Sequence, residues 1–270
     1  MAEIILPFYG QHRLVARCVK SVQVATNGRC RLILVDDASA PEEREAVERF
    51  CTGLRGVEIL SHTQNRGFKE SARTGLRESR DARVILLNSD TIVTPDFDVL
   101  LLDALGEPGV AAAAPVSNHP TDLYQFREYL HEAPEAVASE PFRAVARLAL
   151  RNRRLADGNV TYAPYLTGMC LALNRSAFDE AGGFGEEYRH GYFEDLALSC
   201  RLRTLGYRLA IREDCFVYHE GHASYRNRPR DEKFEIIRSN FVVFSDQWAH
   251  LPEHPGLVEK MEYAGQRYPI

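Results

Sequence analysis

Residues 31–37 read Arg-Leu-Ile-Leu-Val-Asp-Asp, four consecutive apolar residues followed by two carboxylates. Such an apolar run is typical of a strand that is buried on both faces of a sheet. A helix is predicted directly afterwards, because Pro41 suits a first helical turn and Glu42 and Glu43 favour its positive end. Gly53 ends this helix. The stretch therefore predicts a buried strand whose carboxyl end presents acidic side chains.

The same alternation of strand and helix continues on both sides of this stretch. Three further apolar runs predict strands, and two segments with apolar residues at helical spacing predict helices. The strands are at residues 4–6, 57–60 and 84–87, and the helices are at residues 14–22 and 70–78. Pro7 is expected to stop the first strand. Strands joined by helices imply a parallel sheet, and with the strand order 3-2-1-4 residues 7–9 and 88–90 face each other across the ligand crevice.

The composition limits the class of protein. The chain has 270 residues, 45% hydrophobic and 26% charged, so it is long enough for one large globular domain or two small ones. A net charge of −5 argues against a nucleic-acid binder. Six scattered cysteines without a C-x-x-C pair are typical of buried thiols in a reducing compartment. Because neither a signal peptide nor a membrane-spanning run is found, we expect a cytoplasmic protein.

The second half of the chain is less regular than the first. It has an Arg-rich segment, a glycine-rich segment, a helix, a strand and an amphipathic terminal helix. These lie at residues 143–154, 163–191, 194–205, 208–211 leading towards 217–219, and 231–248. We expect one domain at residues 1–225, divided into a nucleotide-binding half at 1–110 and an acceptor-binding half at 111–225, and a helical extension at 226–270.

Three groups of polar residues are candidates for chemistry, and each has a structural alternative. Residues 88–90, Asn-Ser-Asp, either bind Mg²⁺ or Mn²⁺ through their oxygens or form a turn that satisfies local backbone donors. Glu194 and Asp195 begin a helix, where a carboxylate serves as a cap or as a general base. His219 is either a metal ligand or a structural histidine.

Short motifs recur in a fixed order along most of the chain. They are residues 5–9 (Ile-Leu-Pro-Phe-Tyr), 34–39 (Leu-Val-Asp-Asp-Ala-Ser), 65–68 (Asn-Arg-Gly-Phe), 86–91 (Leu-Leu-Asn-Ser-Asp-Thr), 168–173 with 182–184, 193–202 and 217–224. The set resembles the V-P-x-Y, V-D-D-x-S, N-x-G-F, D-x-D, G-G-F, E-D-x-x-L and V-x-H-x-x-G-S motifs of the family 2 inverting nucleotide-sugar glycosyltransferases. The resemblance implies a single-domain GT-A fold, an α/β fold with a Rossmann-like, mostly parallel sheet flanked by helices.

The resemblance also implies roles for individual residues. Asp195, with Glu194 beside it, is the expected catalytic base. Asp90 and His219, with Asn88, are the expected ligands of Mn²⁺ or Mg²⁺. Asn88 stands where the full D-x-D motif has a carboxylate, so Asp90 is the carboxylate that remains. The residues expected to bind the nucleotide sugar are Pro7, Phe8, Tyr9, Asp36, Asp37, Asn65, Arg66, Gly67, Phe68, Lys69, Asn88, Ser89 and Gly168.

The implied reaction moves a sugar to a glycan or lipid-linked acceptor in bacterial surface polysaccharide synthesis, such as that of O-antigen or capsule. The expected donor is dTDP-rhamnose, a UDP-hexose or a UDP-N-acetylhexosamine. A sugar-nucleotide pyrophosphorylase is one alternative, although the basic glycine-rich loop that it needs after the first strand is missing. A non-catalytic sugar-binding or scaffold protein of the same fold is another. A dinucleotide-binding enzyme is disfavoured, because residues 7–12 contain no G-x-G-x-x-G.

Two surface features bear on the partners of the chain. Residues 143–154 contain five arginines among apolar residues. This pattern is typical either of a solvated helix face or of a helix that docks on anionic lipid at the inner face of the cytoplasmic membrane. Residues 234–248 place Ile237 and four aromatic side chains three or four positions apart, which indicates either core packing or a homodimer contact.

Overall fold

A computed structural model describes residues 2–131, 137, 139–156, 158–188, 191–221 and 230–267. The strands within these residues are β1 Ala2–Phe8, β2 Cys30–Asp36, β3 Val57–Ser61, β4 Arg83–Leu87, β5 Thr91–Val93, β6 Val110–Val116, β7 Val160–Tyr162, β8 Cys170–Asn174 and β9 Arg208–His219. The helices are α1 His12–Ala25, α2 Pro41–Cys51, α3 Phe68–Glu78, α4 Phe97–Ala104, α5 Pro141–Ala156, α6 Arg175–Glu180, α7 Glu194–Thr204, α8 Arg230–Trp248 and α9 His254–Arg267. Two short 3-10 helices, Pro120–Gln125 and Glu128–Leu130, lie between β6 and α5.

The strands form one mixed sheet in the order β3-β2-β1-β4-β8-β6-β9-β5, and β7 pairs with β9. The first four strands are parallel, which confirms the predicted order 3-2-1-4. β8 is antiparallel to both β4 and β6, and β9 runs parallel to β6. β5 and β7 are antiparallel to β9. The expected α/β class is confirmed, with a parallel first half and a mixed second half.

Pro7 does not end β1, contrary to the prediction from the sequence. The strand continues to Phe8, and Pro7 lies opposite Val35 of β2. The Phe8 carbonyl accepts a hydrogen bond from the N–H of Asp37, so the backbone groups of Pro7 face the other side, towards β4. There β1 and β4 are paired only as far as Ile5. A proline is tolerated because no ladder hydrogen bond is lost at this position.

Helices cover both faces of the sheet, because alternate residues of each strand point to opposite sides. On one face Ile5 packs with α3, α5 and α7. On the other face Ile4 and Leu6 pack with α1, α2 and α4. Gly75 of α3 lies so close to β1 that a Cβ there would be 2.3 Å from Cγ2 of Ile5. The helix therefore approaches the sheet at a distance that a larger residue would prevent.

The C-terminal helices pack on a third apolar cluster. Its buried members are Leu123, Tyr165, Tyr188, Phe193, Leu196, Ala197, Cys200, Phe244 and Leu257. The predicted terminal helix is confirmed as α8, but Phe234 at its beginning is 60% exposed, whereas Phe244 is fully buried. α9 lies within the helical extension expected at residues 226–270, although no separate helix is predicted there. Pro255 lies in its first turn, where a proline is tolerated.

Two further predictions concern β9 and the cysteines. Residues 208–211 and 217–219 belong to one strand of 12 residues, in which a register shift against β6 separates Arg212 from Phe216. All six cysteines are buried and none forms a disulfide, as expected. Within the residues that the structure describes, no helix is long and apolar enough to span a bilayer.

Candidate active site

Three strand ends meet at one edge of the sheet. The N–H of Asn88, directly after β4, donates to the carbonyl of Met169, directly before β8, at 2.9 Å. The N–H of Glu220, directly after β9, donates to the carbonyl of Asp90 at 3.0 Å. These backbone hydrogen bonds bring the expected metal ligands next to residues 168–169. We call this region the catalytic edge.

Asp90 and His219 form the polar centre of the catalytic edge. Nε2 of His219 lies 3.5 Å from Oδ1 of Asp90, and the two residues are only 7% and 6% exposed, respectively. The other ring nitrogen, Nδ1, lies 3.0 Å from both carboxylate oxygens of Asp122. Burial by itself would lower the pKa of His219, but the carboxylates of Asp122 and Asp90 raise it well above its ordinary value. The imidazole is therefore held between two carboxylates.

Asp122 is a residue that sequence reasoning did not find. It is fully surrounded by protein and accepts hydrogen bonds from the hydroxyl groups of Ser117 and Thr167. Burial disfavours its charged form, but the charge and hydrogen bond of His219, the charge of His119 and the hydroxyl of Ser117 together lower the pKa of Asp122. The residue lies in the 3-10 helix Pro120–Gln125, which matches no motif. The available signal was that Asp122 is the only carboxylate in residues 110–126.

The backbone around His219 is also fixed by specific contacts. The side-chain amide of Asn118 donates to the His219 carbonyl at 3.1 Å and accepts from the His219 N–H at 2.8 Å. Gly221 has a φ of +78°, and a Cβ there would lie 2.4 Å from Nε2 of His119. Only glycine combines this conformation with so close an approach. His222 and Ser224, which belong to the same predicted motif, lie outside the described residues.

The arrangement fits a divalent ion that is bound by few protein ligands. No group of three His, Cys, Asp or Glu side chains that could hold an ion occurs in the described part of the chain. Mg²⁺ is commonly bound by one or two protein side chains together with substrate phosphates. A histidine ligand usually donates its second ring N–H to a carboxylate, and Asp122 supplies that carboxylate. Asn88, two residues before Asp90, has a partly exposed side chain that offers an amide oxygen.

Asp195 lies at the same edge, at the beginning of α7. Its Oδ2 accepts a hydrogen bond from the N–H of Gly168 at 2.7 Å, and its Oδ1 accepts from the N–H of Leu196 at 2.8 Å. Burial raises the pKa of Asp195, and the two backbone hydrogen bonds oppose this increase. Because Gly168 precedes Met169, which is bonded to Asn88, Asp195 is joined to the strand end that carries Asp90.

Glu194 has a different environment from Asp195. It is 7% exposed, and its Oε2 atom makes no hydrogen bond within the described part of the chain. Burial, and then the neighbouring charge of Asp195, raises the pKa of Glu194 to about 8. The proton of the pair is therefore favoured on Glu194, because the backbone N–H groups bonded to Asp195 stabilise the charged form of that carboxylate.

A left-handed turn directs the beginning of α7. Tyr192 and Phe193 have φ values of 67° and 72°, which are uncommon for bulky residues. The side-chain amide of Asn240 in α8 donates to the carbonyls of Gly191 at 2.8 Å and Tyr192 at 3.2 Å. The C-terminal part of the chain therefore helps to hold the turn that places Asp195.

In the first half of the chain, Asp37 organises the loop after β3. Its Oδ1 accepts from the N–H of Arg66 at 2.8 Å and contacts Nδ1 of His62 at 2.9 Å, while its Oδ2 accepts from the N–H of Gly67 at 2.7 Å. Beside this loop is a pocket of about 260 Å³. It is lined by Ser61, His62, Thr63, Gln64 and Arg66. Asp37 thus shapes the loop through hydrogen bonds to its backbone.

The other residues expected to bind the donor differ in exposure. Tyr9, Asn65 and Arg66 have exposed side chains, whereas Pro7, Phe8, Asp36 and Ser89 are buried. Asp36 accepts hydrogen bonds from the N–H and the hydroxyl of Ser39 within its own turn. The Ser39 hydroxyl in turn accepts from the N–H of Gly10, which follows β1. Asp36 therefore supports the turn that carries Tyr9, and its own side chain stays inside.

Phe68 and Lys69 contact the glycine-rich segment. The Phe68 ring packs edge to face on Phe184, with 5.9 Å between the ring centroids. The Nζ of Lys69 donates to the carbonyl of Gly185 at 3.0 Å. Both side chains are thus engaged with the glycine-rich segment, and their expected part in donor binding stays a prediction.

Known proteins resemble this chain in sequence. The model of the family described as Glycosyl transferase family 2 matches residues 3–182. An N-acetylglucosaminyl-diphospho-decaprenol L-rhamnosyltransferase of Mycobacterium tuberculosis is 26% identical over 252 residues, which cover 86% of this chain and 80% of that protein. An uncharacterised protein of Sinorhizobium fredii is 23% identical over 260 residues. That match covers 92% of this chain but only 27% of the length of the relative. This chain therefore spans about a quarter of that protein.

Solved glycosyltransferase structures are similar in fold. A mannosyltransferase from Pyrobaculum calidifontis, in complex with GDP-Man and Mn²⁺, has a TM-score of 0.65 at 16% identity. The superposition covers 97% of this chain and 69% of that one. GalNAc-T7 with UDP, GalNAc and Mn²⁺ has a TM-score of 0.59 at 13% identity, over 81% of this chain and 43% of that one. At these identities the similarity concerns the fold alone.

Proposed function

Because the chain belongs to glycosyl transferase family 2, we propose that it moves a sugar from a nucleotide sugar to an acceptor hydroxyl, with inversion at the anomeric carbon. The observation that carries this proposal is the catalytic edge, where Asp195 is joined through Gly168 and Met169 to the strand end of Asp90 and His219. A base for the acceptor and a polar centre for a diphosphate are the two parts that a single displacement requires.

Asp195 is the general base of this proposal. One of its carboxylate oxygens takes the proton of the acceptor hydroxyl while that oxygen bonds to the anomeric carbon, and the bond from this carbon to the diphosphate oxygen breaks. A carboxylate has lone pairs to spare beyond the hydrogen bonds from Gly168 and Leu196, so it can receive the acceptor without losing its orientation. The raised pKa of Glu194 disfavours a second negative charge beside the base.

The donor is proposed to bind between the loop after β3 and the end of β1. Tyr9 is 49% exposed and offers an aromatic face to the nucleobase, and Arg66 offers an exposed guanidinium to the phosphates. Asp37 contributes by fixing the backbone of this loop at Arg66 and Gly67. The pocket beside Arg66 provides space along this loop, on the side of β3.

Asp90 and His219, with Asn88, are proposed to hold Mn²⁺ or Mg²⁺. A bound divalent ion stabilises the charge that develops on the leaving diphosphate. Asp122 orients His219 for this role by engaging its Nδ1 atom. The choice of Mn²⁺ is supported by the two solved structures of similar fold, both of which are described as Mn²⁺ complexes.

The relatives favour a rhamnosyl donor and a lipid-linked acceptor. The Mycobacterium tuberculosis relative is named as an L-rhamnosyltransferase that acts on N-acetylglucosaminyl-diphospho-decaprenol. On this basis dTDP-rhamnose is the first donor to test and a UDP-hexose or UDP-N-acetylhexosamine is the second. The proposed setting is surface polysaccharide synthesis in the cytoplasm, including O-antigen or capsule.

Donor binding and transfer test the proposal in two steps. A thermal-shift screen of dTDP-, UDP- and GDP-sugars with Mn²⁺ identifies the donor, because a ligand of the native state raises the melting temperature. Asp195→Asn should then bind this donor with unchanged affinity and lose transfer by about 10²- to 10⁴-fold. Asp179→Asn, which changes an exposed aspartate in α6, is the matched control and should remain active. An Asp195→Asn protein with most of its activity would remove Asp195 from the role of base.

A further inference from the structure

Helix α5 has one face buried in the domain and one face that is exposed and basic. The buried residues are Ala144, Val145, Leu148, Ala149 and Asn152. The charged residues are Arg143, Arg147, Arg151, Arg153 and Arg154, and the helix contains no acidic residue. The helix is thus anchored to the domain on one side and presents only positive side-chain charge on the other.

Apolar side chains are exposed among these arginines. Leu150 is 59% exposed, Leu155 is 60% exposed, and Phe142 at the beginning of the helix is 38% exposed. Leu150 lies at helical spacing from both Arg143 and Arg154, so these three residues share one face. A face that combines a large apolar side chain with long cationic ones suits an interface that has both an apolar and an anionic layer.

Two acidic residues in the described part of the chain pair with this face, and both are exposed. Arg143 pairs with Glu140 at 3.1 Å, and Arg153 pairs with Asp96 at 3.4 Å. All four side chains of these pairs are more than 40% exposed. Exposed ion pairs contribute little to stability, so they are readily exchanged for another anion. The face therefore keeps an excess of positive charge that an anionic partner can use.

The beginning of α5 is also linked to the catalytic edge. Nζ of Lys20 in α1 lies 5.3 Å from the centroid of the Phe142 ring. About one turn earlier in α1, Arg17 binds the carboxylate of Glu220 at 2.9 Å, next to His219. One turn of α1 thus connects the basic face to the residues of the proposed metal site. Lys20 adds a further cation at the border of the basic face.

We propose that the exposed face of α5 docks on the surface of an anionic lipid bilayer. Arg143, Arg151 and Arg154 contact the headgroup phosphates, and Leu150 enters the layer below them. The docking proposal rests on the proposed function in one respect, the purpose of docking. Docking holds the catalytic edge at the bilayer, where a lipid-linked acceptor is presented. Docking itself needs neither donor nor turnover, so failure of one proposal is distinguishable from failure of the other.

Vesicle binding by the full chain tests the docking. We expect co-sedimentation with vesicles that contain phosphatidylglycerol, no binding to pure phosphatidylcholine, and release in about 1 M salt, where the screening length is about 3 Å. The triple variant R143Q/R151Q/R154Q should partition about 100-fold more weakly, since each basic residue at such a surface contributes about fivefold. Its transfer to a soluble acceptor should remain unchanged.

A matched control distinguishes the effect of the exposed face of α5 from the effect of net charge. The triple variant R49Q/R55Q/R77Q removes the same charge from exposed arginines in and near α2 and α3 and should bind vesicles almost as the parent does. Equal binding to both vesicle types, or equal losses in the two triple variants, would overturn the proposal. Release from vesicles by a nucleic acid that binds the same face more tightly would also overturn it, because the partner would then be a different polyanion.

A tryptophan reporter tests the depth of docking. Trp248 is the only tryptophan of the chain, so a second one can be read against a constant background. In Leu150→Trp the added emission should shift to shorter wavelength when anionic vesicles are present. In Phe234→Trp, which changes an exposed position of α8, it should not. No shift at position 150 despite binding would overturn the insertion of Leu150.

Discussion

His219 lies at the centre of the catalytic edge. Asp90 and Asp122 face its opposite ring nitrogens, and both carboxylates are buried. A carboxylate at Nδ1 fixes the orientation of the ring, and Nε2 can act as a ligand once a bound ion has displaced its proton. Asp122 is therefore a positioning residue, whereas Asp90 is expected to touch the ion itself.

Replacing Asp122 with Asn should weaken Mn²⁺ binding by about 10- to 100-fold, because the ring loses its charged partner while the volume of the side chain is kept. A Mn²⁺ titration followed by electron paramagnetic resonance in the presence of UDP measures this without turnover. Asp90→Asn should have a larger effect, since it removes a ligand. Asp103→Asn, a carboxylate that is 70% exposed, should have none. Wild-type affinity in Asp122→Asn would contradict the positioning role.

Burial of Glu194 couples the stability of the protein to pH. Its pKa is about 8 in the folded state against an ordinary value of 4.5, so between these values the folded state keeps a proton that the unfolded chain has lost. The free energy of unfolding should therefore fall as the pH rises, by at most about 1.4 kcal/mol per pH unit for this group. Urea denaturation at several pH values in this window should show a weaker dependence in Glu194→Gln. Glu45→Gln, at an exposed position, should keep the dependence of the parent, and the same dependence in Glu194→Gln would refute the coupling.

Sequence reasoning finds a residue when its chemistry stands at the end of an element. Asp90, Asp195 and His219 stand at such ends, and the structure brings them to one edge, although their roles stay predictions. Asp122 could not be found in this way, because its partner His219 is 97 positions away along the chain. Lys69 is a second example, since it contacts Gly185, which lies 116 positions away along the chain. Local patterns do not contain such tertiary contacts.

At the scale of elements, side chains of two helices, α3 and α7, bind residues 182–188, which follow α6. Lys69 of α3 donates to the Gly185 carbonyl at 3.0 Å. Arg201 of α7 donates to the Gly183 carbonyl at 2.6 Å and also pairs with a glutamate of the same segment. Helices from both halves of the chain thus hold the segment that comes shortly before the proposed base.

Removing the contact from α7 should loosen this segment without unfolding the domain. Arg201→Met loses both the hydrogen bond to Gly183 and the ion pair with Glu187, so amide hydrogen exchange in residues 182–188 should be faster by about tenfold. Arg201→Lys should be intermediate, because it keeps the charge but not the planar two-point geometry. Arg203→Met, on the same helix, breaks an ion pair with Glu253, directly before α9, and should leave this exchange unchanged. If amide exchange in Arg201→Met were as slow as in the parent protein, Arg201 would not be what holds residues 182–188 in place.

The elements up to β4 could be predicted because each apolar strand is separated from the next by a helical pattern. The predicted strand at 84–87 differs from β4 by one residue, and the predicted helix that begins at Pro41 is α2. Beyond β4 the pattern fails for physical reasons. β5 and β7 are three residues long, too short for a periodic signal, and β8 enters the sheet antiparallel between β4 and β6. Such pairing of distant segments has no local signature.

At the scale of the whole molecule, the catalytic edge depends on contacts that cross the expected boundary between residues 1–225 and 226–270. Asn240 of α8 bonds to the backbone just before α7, and Phe244 packs on Phe193 with 5.5 Å between the ring centroids. The aromatic pattern of the tail left core packing and a homodimer contact open. For Phe244 the answer is the core of its own chain. An amphipathic pattern indicates a buried face, but it does not identify what covers that face.

Two phenylalanines of α8 provide a test of how far the C-terminal helices belong to the domain. Phe244→Ala should lower the free energy of unfolding by about 3–5 kcal/mol, because it empties a fully buried site, whereas Phe234→Ala, at a position that is 60% exposed, should change it by less than about 0.5 kcal/mol. Circular dichroism follows the whole fold, and the fluorescence of Trp248 follows α8. If α8 is part of one cooperative unit, both transitions shift together in Phe244→Ala. A shift of the Trp248 transition alone would make residues 230–267 an independent extension, and the turn before Asp195 would then have to be stable without Asn240.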